Sequence, residues 1–202
     1  MSDWFVVPIR SLSDGKSRLA DVLRPLERRA FNELLLTRVL DAIAQVSGGL
    51  SRCIVVSADC DALELAEGLG ATPLPDGPES GLNAAIAAAC DAARSRQADS
   101  ILILAADLPD VSKGALARLQ DATPEGSAAI IADKLGCGTN GLLLPATCDA
   151  KFAFGQASLR RHRAAIEAAG FPVTIWNDPA LAFDIDLPAD FLRWSLASLP
   201  PV

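Results

Sequence analysis

The stretch SILILAADLPD, residues 100–110, decides the fold class of this chain. Ile101 to Ala105 is an unbroken apolar run, and two carboxylates, Asp107 and Asp110, follow it closely. A strand without polar alternation is typical of a parallel sheet, where both faces are buried. Ligands bind beyond the carboxyl ends of such strands, so Asp107 is a candidate functional residue, although it could simply turn the chain. Asp110 is expected to cap the helix that follows.

Strands and helices alternate on both sides of this stretch. We predict strands over residues 4–9, 53–57, 101–105, 128–132, 141–145 and 173–176, and helices over 25–47, 61–69, 82–96, 112–122, 156–169 and 188–198. This alternation predicts an α/β fold, with a mostly parallel central sheet flanked by helices. We find no linker and no internal repeat, so residues 1–202 are expected to form a single domain.

Composition narrows the class of protein. The chain has 202 residues, half of them hydrophobic, and a formal net charge of −7, which argues against a nucleic-acid backbone as partner. Its five cysteines form no C-x-x-C pair, which argues against a disulfide framework or a zinc site and indicates a reducing compartment. No apolar run is long enough for a signal peptide or a membrane span, so we expect a cytoplasmic protein.

The sequence does not match the common nucleotide-binding and hydrolase motifs once the flanking residues are considered. Gly15-Lys16-Ser17 looks like the end of a P-loop, but Arg10 stands where that loop requires glycine. The glycines of residues 136–141 precede a predicted strand, whereas a dinucleotide fingerprint opens a helix. A single histidine and the lack of G-x-S-x-G argue against a hydrolase triad.

Two glycine-containing segments could contact a nucleotide. Arg10, Lys16 and Arg18 lie on a predicted loop directly after the first strand and could wrap a polyphosphate, unless this is simply a solvated basic loop. In PESGLNAAI, residues 78–86, Gly81 would allow close backbone approach and the Asn83 amide could read a base edge. The alternative is an ordinary helix start capped by the serine of this segment.

Two later segments could hold an anion and a cation. In FGQASLRRHR, residues 154–163, Gly155 and Ser158 open a predicted helix whose free N–H groups favour an anion, although an exposed basic face is the alternative. In FDIDLPAD, residues 183–190, Asp184 and Asp186 would share one face of a strand, and Mg²⁺ would relieve their repulsion. Alternatively, Asp186 or Asp190 caps the last helix. Together the four segments suit phosphoryl or nucleotidyl transfer, where catalysis is mainly positioning and charge neutralisation.

The order of these motifs resembles one family over nearly the whole chain. The matching motifs are KSRL (16–19), ESGLN (79–83), ADLP (106–109), GTN (138–140), F-G-x-x-S-x-x-x-H (154–162) and D-I-D-x-P-x-D (184–190). They look like those of the phospholactate or phosphoenolpyruvate guanylyltransferases of coenzyme F-420 biosynthesis. The resemblance implies a Rossmann-like, GT-A-type nucleotidyltransferase fold. It also implies transfer of GMP from GTP to a three-carbon phospho-acid, with release of pyrophosphate.

The resemblance also implies roles for individual residues. The catalytic residues would be Lys16, Arg18 and Asp107, and Mg²⁺ would be carried by Asp107, Asp186 and Asp184. GTP would be bound by Arg10, Lys16, Arg18, Glu79, Ser80, Gly81 and Asn83. The phospho-acid would be bound by Thr139, Gly155 and Ser158. The partners would be GTP and the acid, and a homodimer is expected because family members are often dimers.

This chain departs from the family pattern at two positions. Ala105 stands where relatives can carry the first carboxylate of a D-x-D pair, which leaves the number of metal ions open. Arg10 stands where relatives often have lysine, and arginine binds phosphate with a different geometry. Phosphoenolpyruvate, 2-phospho-L-lactate and 3-phosphoglycerate all remain candidate acceptors. The alternatives are a nucleotidyltransferase for molybdopterin or a sugar phosphate, and a non-catalytic nucleotide-binding module.

Overall fold

Apolar runs of four to seven residues form the strands of one sheet in the computed structural model, which describes residues 2–77 and 81–197. The strands are β1 (Asp3–Pro8), β2 (Cys53–Ser57), β3 (Thr72–Pro75), β4 (Ser100–Leu104), β5 (Ala128–Ala132), β6 (Thr139–Pro145) and β7 (Val173–Trp176). Their order is β3-β2-β1-β4-β6-β5-β7. Every pairing is parallel except those of β6, which runs antiparallel to both β4 and β5.

Helices cover both faces of this sheet. They are α1 (Pro25–Ser47), α2 (Cys60–Gly68), α3 (Gly81–Arg94), α4 (Lys113–Ala122), α5 (Ser158–Ala168), the short α6 (Pro179–Ala182) and α7 (Pro188–Ala197). A 3₁₀ turn, Ser17–Leu19, lies between β1 and α1. No helix in the described residues has both the length and the apolar character needed to cross a membrane.

Alternate residues of the buried strands point into two separate cores. On one face Phe5, Val55 and Leu102 pack among α1, α2 and α4, and on the other Val6 and Ile103 pack against α3. Because both faces are covered, the central strands read as continuous apolar runs, as predicted for β4.

A third, smaller apolar cluster brings distant loops together. Leu19 from the 3₁₀ turn and Ile185 from the segment before α7 are fully buried against Phe31 and Leu35 of α1. The polar residues next to Leu19 and Ile185 in the sequence are therefore held at the same end of the sheet. This cluster fixes the loop after β1 and the segment 183–187 beside each other.

The predicted α/β fold with a mostly parallel sheet is confirmed, with local corrections. β3 and α6 were not predicted, because each contains proline and is only four residues long. Asp110 was expected to cap α4, but the Ser112 hydroxyl does so, accepting from the Ala115 N–H at 3.3 Å. Residues 183–187 are irregular rather than a strand.

Candidate active site

A cavity of about 560 Å³ opens at the carboxyl ends of β1 and β4. Because β6 is antiparallel, it is the first residues of β6 that reach this edge of the sheet. The cavity brings together most of the predicted site residues, namely Arg10, Lys16, Arg18, Asp107, Thr139, Gly155, Ser158, Asp184 and Asp186.

Lys16 lies at the centre of the charged wall. Its Nζ donates to Asp107 Oδ2 at 2.5 Å and to Asp186 Oδ1 at 3.1 Å, so one ammonium links carboxylates far apart in sequence. Burial works against the charge of Lys16, but the two carboxylates outweigh it and raise the pKa of the amine. Arg18 Nη1 lies 3.7 Å from Asp186 Oδ2, and its side chain is largely exposed at the cavity mouth.

The backbone of Lys16 is in the left-handed region, with φ 57° and ψ 36°. A side chain in this region costs about 1 kcal/mol or more, and such strain persists where the surroundings impose it. The close packing at the neighbouring Gly15 is what constrains the backbone here. A Cβ on Gly15 would lie 2.7 Å from both Asn32 Nδ2 and Ser11 O. The loop is packed against α1 so closely that the direction of the Lys16 side chain is fixed.

Asp59 holds the other end of this loop. One of its oxygens accepts from the Ser11 hydroxyl and from the Leu12 N–H, each at 2.8 Å, and the other caps α2 by accepting from the Asp61 N–H. Burial opposes ionisation of Asp59, but these hydrogen bonds outweigh it and lower the pKa of the carboxyl. Asn32 completes the anchorage by donating to the Leu12 carbonyl at 2.7 Å.

Asp184 is the most deeply enclosed carboxylate of the cavity. Burial, and next the charge of Asp107, raise its pKa, while Lys134 partly offsets them and Asp186 adds to them. Lys134 Nζ lies 3.5 Å from Asp184 Oδ1, but among the described residues this buried oxygen has no hydrogen-bond partner. A buried carboxylate oxygen that has an ion pair but no hydrogen bond can also accept a bound cation as a partner.

Lys134, Asn140 and Asp190 position the carboxylate segment. Lys134 Nζ donates to the Asp184 carbonyl and to Asp190 Oδ2, both at 2.7 Å. Asp190 Oδ2 also accepts from the N–H groups of Asp186 and Leu187 at the start of α7. Asn140, in β6, donates to the carbonyls of residues 181 and 182 at 3.1 and 2.9 Å, which ties the preceding turn to the sheet.

The wall formed by the start of β6 and the turn before α5 carries neutral donors, and the nearby Asp133 also lines the cavity. Thr139 begins β6, and the buried Ser158 begins α5, directly after Ala157 in the left-handed region at φ 53°. Gly155 has φ 120°, a conformation that glycine adopts readily. Arg160, Arg161 and Arg163 are exposed and not on the cavity wall, so this part of the basic run is the solvated face considered above as the alternative.

The predicted guanine-binding segment is only partly accounted for. Glu79 and Ser80 lie outside the described residues. Gly81, at φ 69°, begins α3, but neither it nor Asn83 is on the cavity wall, which Leu82 and Ile86 of α3 line instead. The Asn83 amide accepts from the Phe154 N–H at 2.8 Å and donates to the Phe154 carbonyl at 3.3 Å. Base recognition by Asn83 therefore stays a prediction that would require these bonds to exchange.

The oxygen donors of the cavity fit a hard divalent cation. Asp107, Asp184 and Asp186 all line it, and Mg²⁺ in proteins is often held by one or two carboxylates, with waters and substrate phosphates completing its shell. Across residues 2–77 and 81–197, no group of three or more acidic, histidine or cysteine side chains is arranged so that it could hold a metal ion by itself. The arrangement thus suits a cation shared with a phosphorylated ligand.

Several residues that shape the site were not predicted from the sequence. Asp59, Asn32 and Lys134 act across 20 to 56 positions in the chain, and no local pattern indicates their partners. One signal was available: Asn32 is three residues before Leu35 on the buried face of α1, where a polar side chain requires a hydrogen-bond partner.

Comparison with known proteins agrees with this geometry. The family model described as "Guanylyl transferase CofC like" matches residues 4–196. A phosphoenolpyruvate guanylyltransferase from Sphaerobacter thermophilus is 40% identical over 185 residues, which cover 92% of this chain and 88% of that protein. A 2-phospho-L-lactate guanylyltransferase from Methanothermobacter thermautotrophicus is 30% identical, covering 92% of this chain and 80% of that protein.

The fold has matches among solved structures as well. A nucleotidyl transferase from Methanothermobacter superposes with a TM-score of 0.72 at 20% identity, covering 96% of this chain and 95% of that one. At this identity the match supports the fold alone, which is the predicted Rossmann-like nucleotidyltransferase fold. The family match over nearly the full length is the decisive finding, and this chain belongs to the CofC-like guanylyl transferase family.

Proposed function

We propose that this protein transfers GMP from GTP to a three-carbon phospho-acid, releasing pyrophosphate, in the biosynthesis of coenzyme F-420. Phosphoenolpyruvate, 2-phospho-L-lactate and 3-phosphoglycerate are the candidate acceptors, and relatives of the chain are named for the first two. One observation carries the proposal. One cavity brings together a cationic loop, five aspartates that include Asp107 and Asp186, and the neutral donors of Thr139, Gly155 and Ser158, in a chain of this family.

The cationic loop is suited to the triphosphate. Arg10, Lys16 and Arg18 would contact the phosphates of GTP, while α3 would lie toward the guanine. Lys16 would exchange its bonds to Asp107 and Asp186 for bonds to phosphate oxygens, because the arriving nucleotide brings anions of its own. Glu79, Ser80, Gly81 and Asn83 stay the predicted contacts of base and ribose.

Mg²⁺ is part of the proposal. Asp107 and Asp186, joined by the buried Asp184, would hold it, and their oxygens are of the kind this ion prefers. When bound, the ion supplies neutralisation of the crowded negative charge and alignment of the two reacting phosphates. Asp184 Oδ1 supports this placement, since it is buried and, among the described residues, has an ion pair with Lys134 at 3.5 Å but no hydrogen bond.

The acceptor would bind at the wall formed by the start of β6 and the turn before α5. Thr139, Gly155 and Ser158 supply hydroxyl and backbone donors for its anionic groups. A phosphate oxygen of the acid then attacks the α-phosphorus of GTP, and the bond from that phosphorus to the bridging oxygen of the β-phosphate breaks. The leaving pyrophosphate carries the electron pair away. No general base is required because the attacking oxygen is already ionised.

The direct test is a substrate panel. The protein is incubated with GTP, Mg²⁺ and each of the three acids, and the guanylylated product is identified by mass spectrometry while pyrophosphate release is measured. We expect product with at least one acid and little with ATP or CTP. The proposal fails if GTP is consumed with none of the acids.

Matched variants connect the activity to the cavity. Asp186→Asn removes one charge from the cavity wall and should lower kcat/KM at least about tenfold. This is the effect expected from the loss of one charge-assisted hydrogen bond or one metal ligand. Asp91→Asn is the control, since this exposed residue of α3 forms an ion pair with Arg94 and is not on the cavity wall. Equal activity of both variants would remove Asp186 from the site.

Adding a sugar phosphate and molybdopterin to this panel, with a measurement of GTP binding, separates the alternatives. Turnover with a sugar phosphate or molybdopterin instead of the acids would indicate a different nucleotidyltransferase. Tight GTP binding without any turnover would indicate a binding module. We further propose that the enzyme acts in the cytoplasm, as a homodimer, on GTP and the acid without a membrane or nucleic acid; light scattering on the purified protein measures its oligomeric state.

A further inference from the structure

His162 is the single histidine of the chain, and it lies directly behind the proposed acceptor wall. It is on α5, only 1% exposed, and is not itself on the cavity wall. The Phe154 ring packs edge-on against the imidazole, with centroids 4.6 Å apart. A buried imidazole one layer behind a ligand site acts through the groups that it bonds.

Both ring nitrogens are in hydrogen bonds, and these bonds fix the tautomer. Nε2 lies 2.9 Å from the backbone N–H of Ala153, which can only donate, so Nε2 must be the unprotonated nitrogen. The hydrogen of the neutral ring is then on Nδ1, which lies 3.0 Å from Thr139 Oγ1. Burial, with a smaller contribution from the charge of Arg161, lowers the pKa of His162 to about 4 and keeps the ring neutral near pH 7.

This tautomer determines what the Thr139 hydroxyl can offer. Since Nδ1–H donates to Oγ1, the hydroxyl uses its own hydrogen elsewhere, and Thr139 lines the cavity. In the opposite tautomer, unprotonated Nδ1 would accept the hydroxyl hydrogen of Thr139. The lone pairs of Thr139 Oγ1 would then face an anionic ligand. The hydrogen bond from Ala153 also ties α5 to the turn that carries Gly155, while Asn83 fixes the same turn at Phe154.

We infer that His162 is a positioning residue, which holds the Thr139 hydroxyl as a hydrogen-bond donor directed at the anionic acceptor. The inference rests on the proposed function for the identity of that anion. It adds a residue to the acceptor site that does not touch the ligand. It also assigns the histidine of the F-G-x-x-S-x-x-x-H motif a chemical role.

Two substitutions separate the two hydrogen bonds. His162→Gln keeps an acceptor near the position of Nε2 but loses the donor to Thr139. His162→Asn places its amide nitrogen near the position of Nδ1 and can keep that donor. We expect His162→Gln to raise the KM for the acid by about tenfold, the usual effect of losing one hydrogen bond to a charged ligand, with the KM for GTP nearly unchanged. His162→Asn should recover most of the loss.

A double-mutant cycle tests whether His162 acts through Thr139. Thr139→Val removes the hydroxyl at nearly constant shape. In a Thr139→Ser background, which keeps the hydroxyl, His162→Gln should still raise the KM for the acid. In the Thr139→Val background, His162→Gln should change the KM for the acid less than twofold, because the group it orients is already gone. Independent, multiplying effects, or an equal rise in the KM for GTP, would overturn the inference and indicate a purely structural histidine.

Nuclear magnetic resonance gives a readout that is independent of turnover. With one histidine and a tag that contains none, a long-range ¹H–¹⁵N spectrum reports the tautomer of His162 alone. We expect protonated Nδ1 and unprotonated Nε2 in the free protein at pH 7. An Nε2–H tautomer overturns the inference even if the enzyme is active, whereas a correct tautomer without turnover of any acid locates the failure in the proposed function.

Discussion

His162 makes a quantitative prediction about acid stability. Its pKa in the folded protein is about 4, because burial in the core next to Phe154 disfavours the charged ring, whereas an exposed histidine in the unfolded chain titrates near its ordinary 6.5. Between these two values the unfolded chain binds a proton that the native protein does not. The free energy of unfolding therefore rises with pH across this window. The contribution of His162 to this free energy is lost as the pH falls from 6.5 toward 4.

The size of the effect follows from the two pKa values. Each pH unit inside the window contributes about 1.4 kcal/mol, so this one group should lower the free energy of unfolding by about 2 kcal/mol between pH 7.5 and pH 5. Below pH 4 the loss should level off at roughly 3 kcal/mol. Many carboxylates also respond to acid, and their contribution has to be removed by comparison with a variant.

Urea unfolding of the parent and of His162→Gln, measured at several pH values, isolates the histidine. The variant lacks the titrating ring but keeps the other ionisable groups, so the parent-minus-variant difference should fall by about 2 kcal/mol from pH 7.5 to pH 5. His162→Asn should give the same pH dependence, even if its absolute stability differs. A difference that stays constant over this range would refute the reasoning, because it would mean that the native ring titrates like an exposed one.

Three further predictions concern other parts of the molecule. Lys16→Met should lower the free energy of unfolding by about 1–2 kcal/mol at pH 7 by leaving two carboxylates without their shared donor, and urea unfolding measures this loss. Gly141→Ala should cost about 1–3 kcal/mol in urea unfolding, because its Cβ would lie 2.6 Å from a carbonyl oxygen of β4. Gly68→Ala, whose Cβ meets nothing within 4 Å, is the matched control and should be neutral or slightly stabilising. Iodoacetamide should alkylate Cys60 and Cys137 in the native protein, since these are exposed and the other cysteines are buried, and peptide mass spectrometry should detect label elsewhere only after unfolding.

The sheet could be predicted from the sequence because parallel, doubly covered strands leave a local signature. β4 is apolar at every central position, and Asp107 follows it where the geometry of parallel sheets puts ligand-binding groups. The same rule fails for Thr139. Thr139 is the first residue of its strand, and it reaches the cavity only because β6 is inserted antiparallel between β4 and β5. Strand direction is a property of the whole topology, so only the family resemblance pointed to this residue.

The supporting contacts could not be predicted for a related reason. Lys16 and Asp186 are 170 positions apart, and they meet because Leu19 and Ile185 share a core cluster. Asp59 is recognisable as a helix cap from its place before α2. Its hydrogen bonds with Ser11 and Leu12, however, depend on where β1 ends beside β2. Sequence patterns specify such elements well and their mutual placement poorly.

The ammonium of Lys16 between Asp107 and Asp186 has a practical consequence for handling the protein. Since this ammonium bonds both acids and offsets part of their charge without a metal ion, chelators such as EDTA are expected to leave the melting temperature essentially unchanged. Stripped preparations can then be titrated with Mg²⁺, Mn²⁺ or Ca²⁺ one at a time, and ion preference can be measured without refolding.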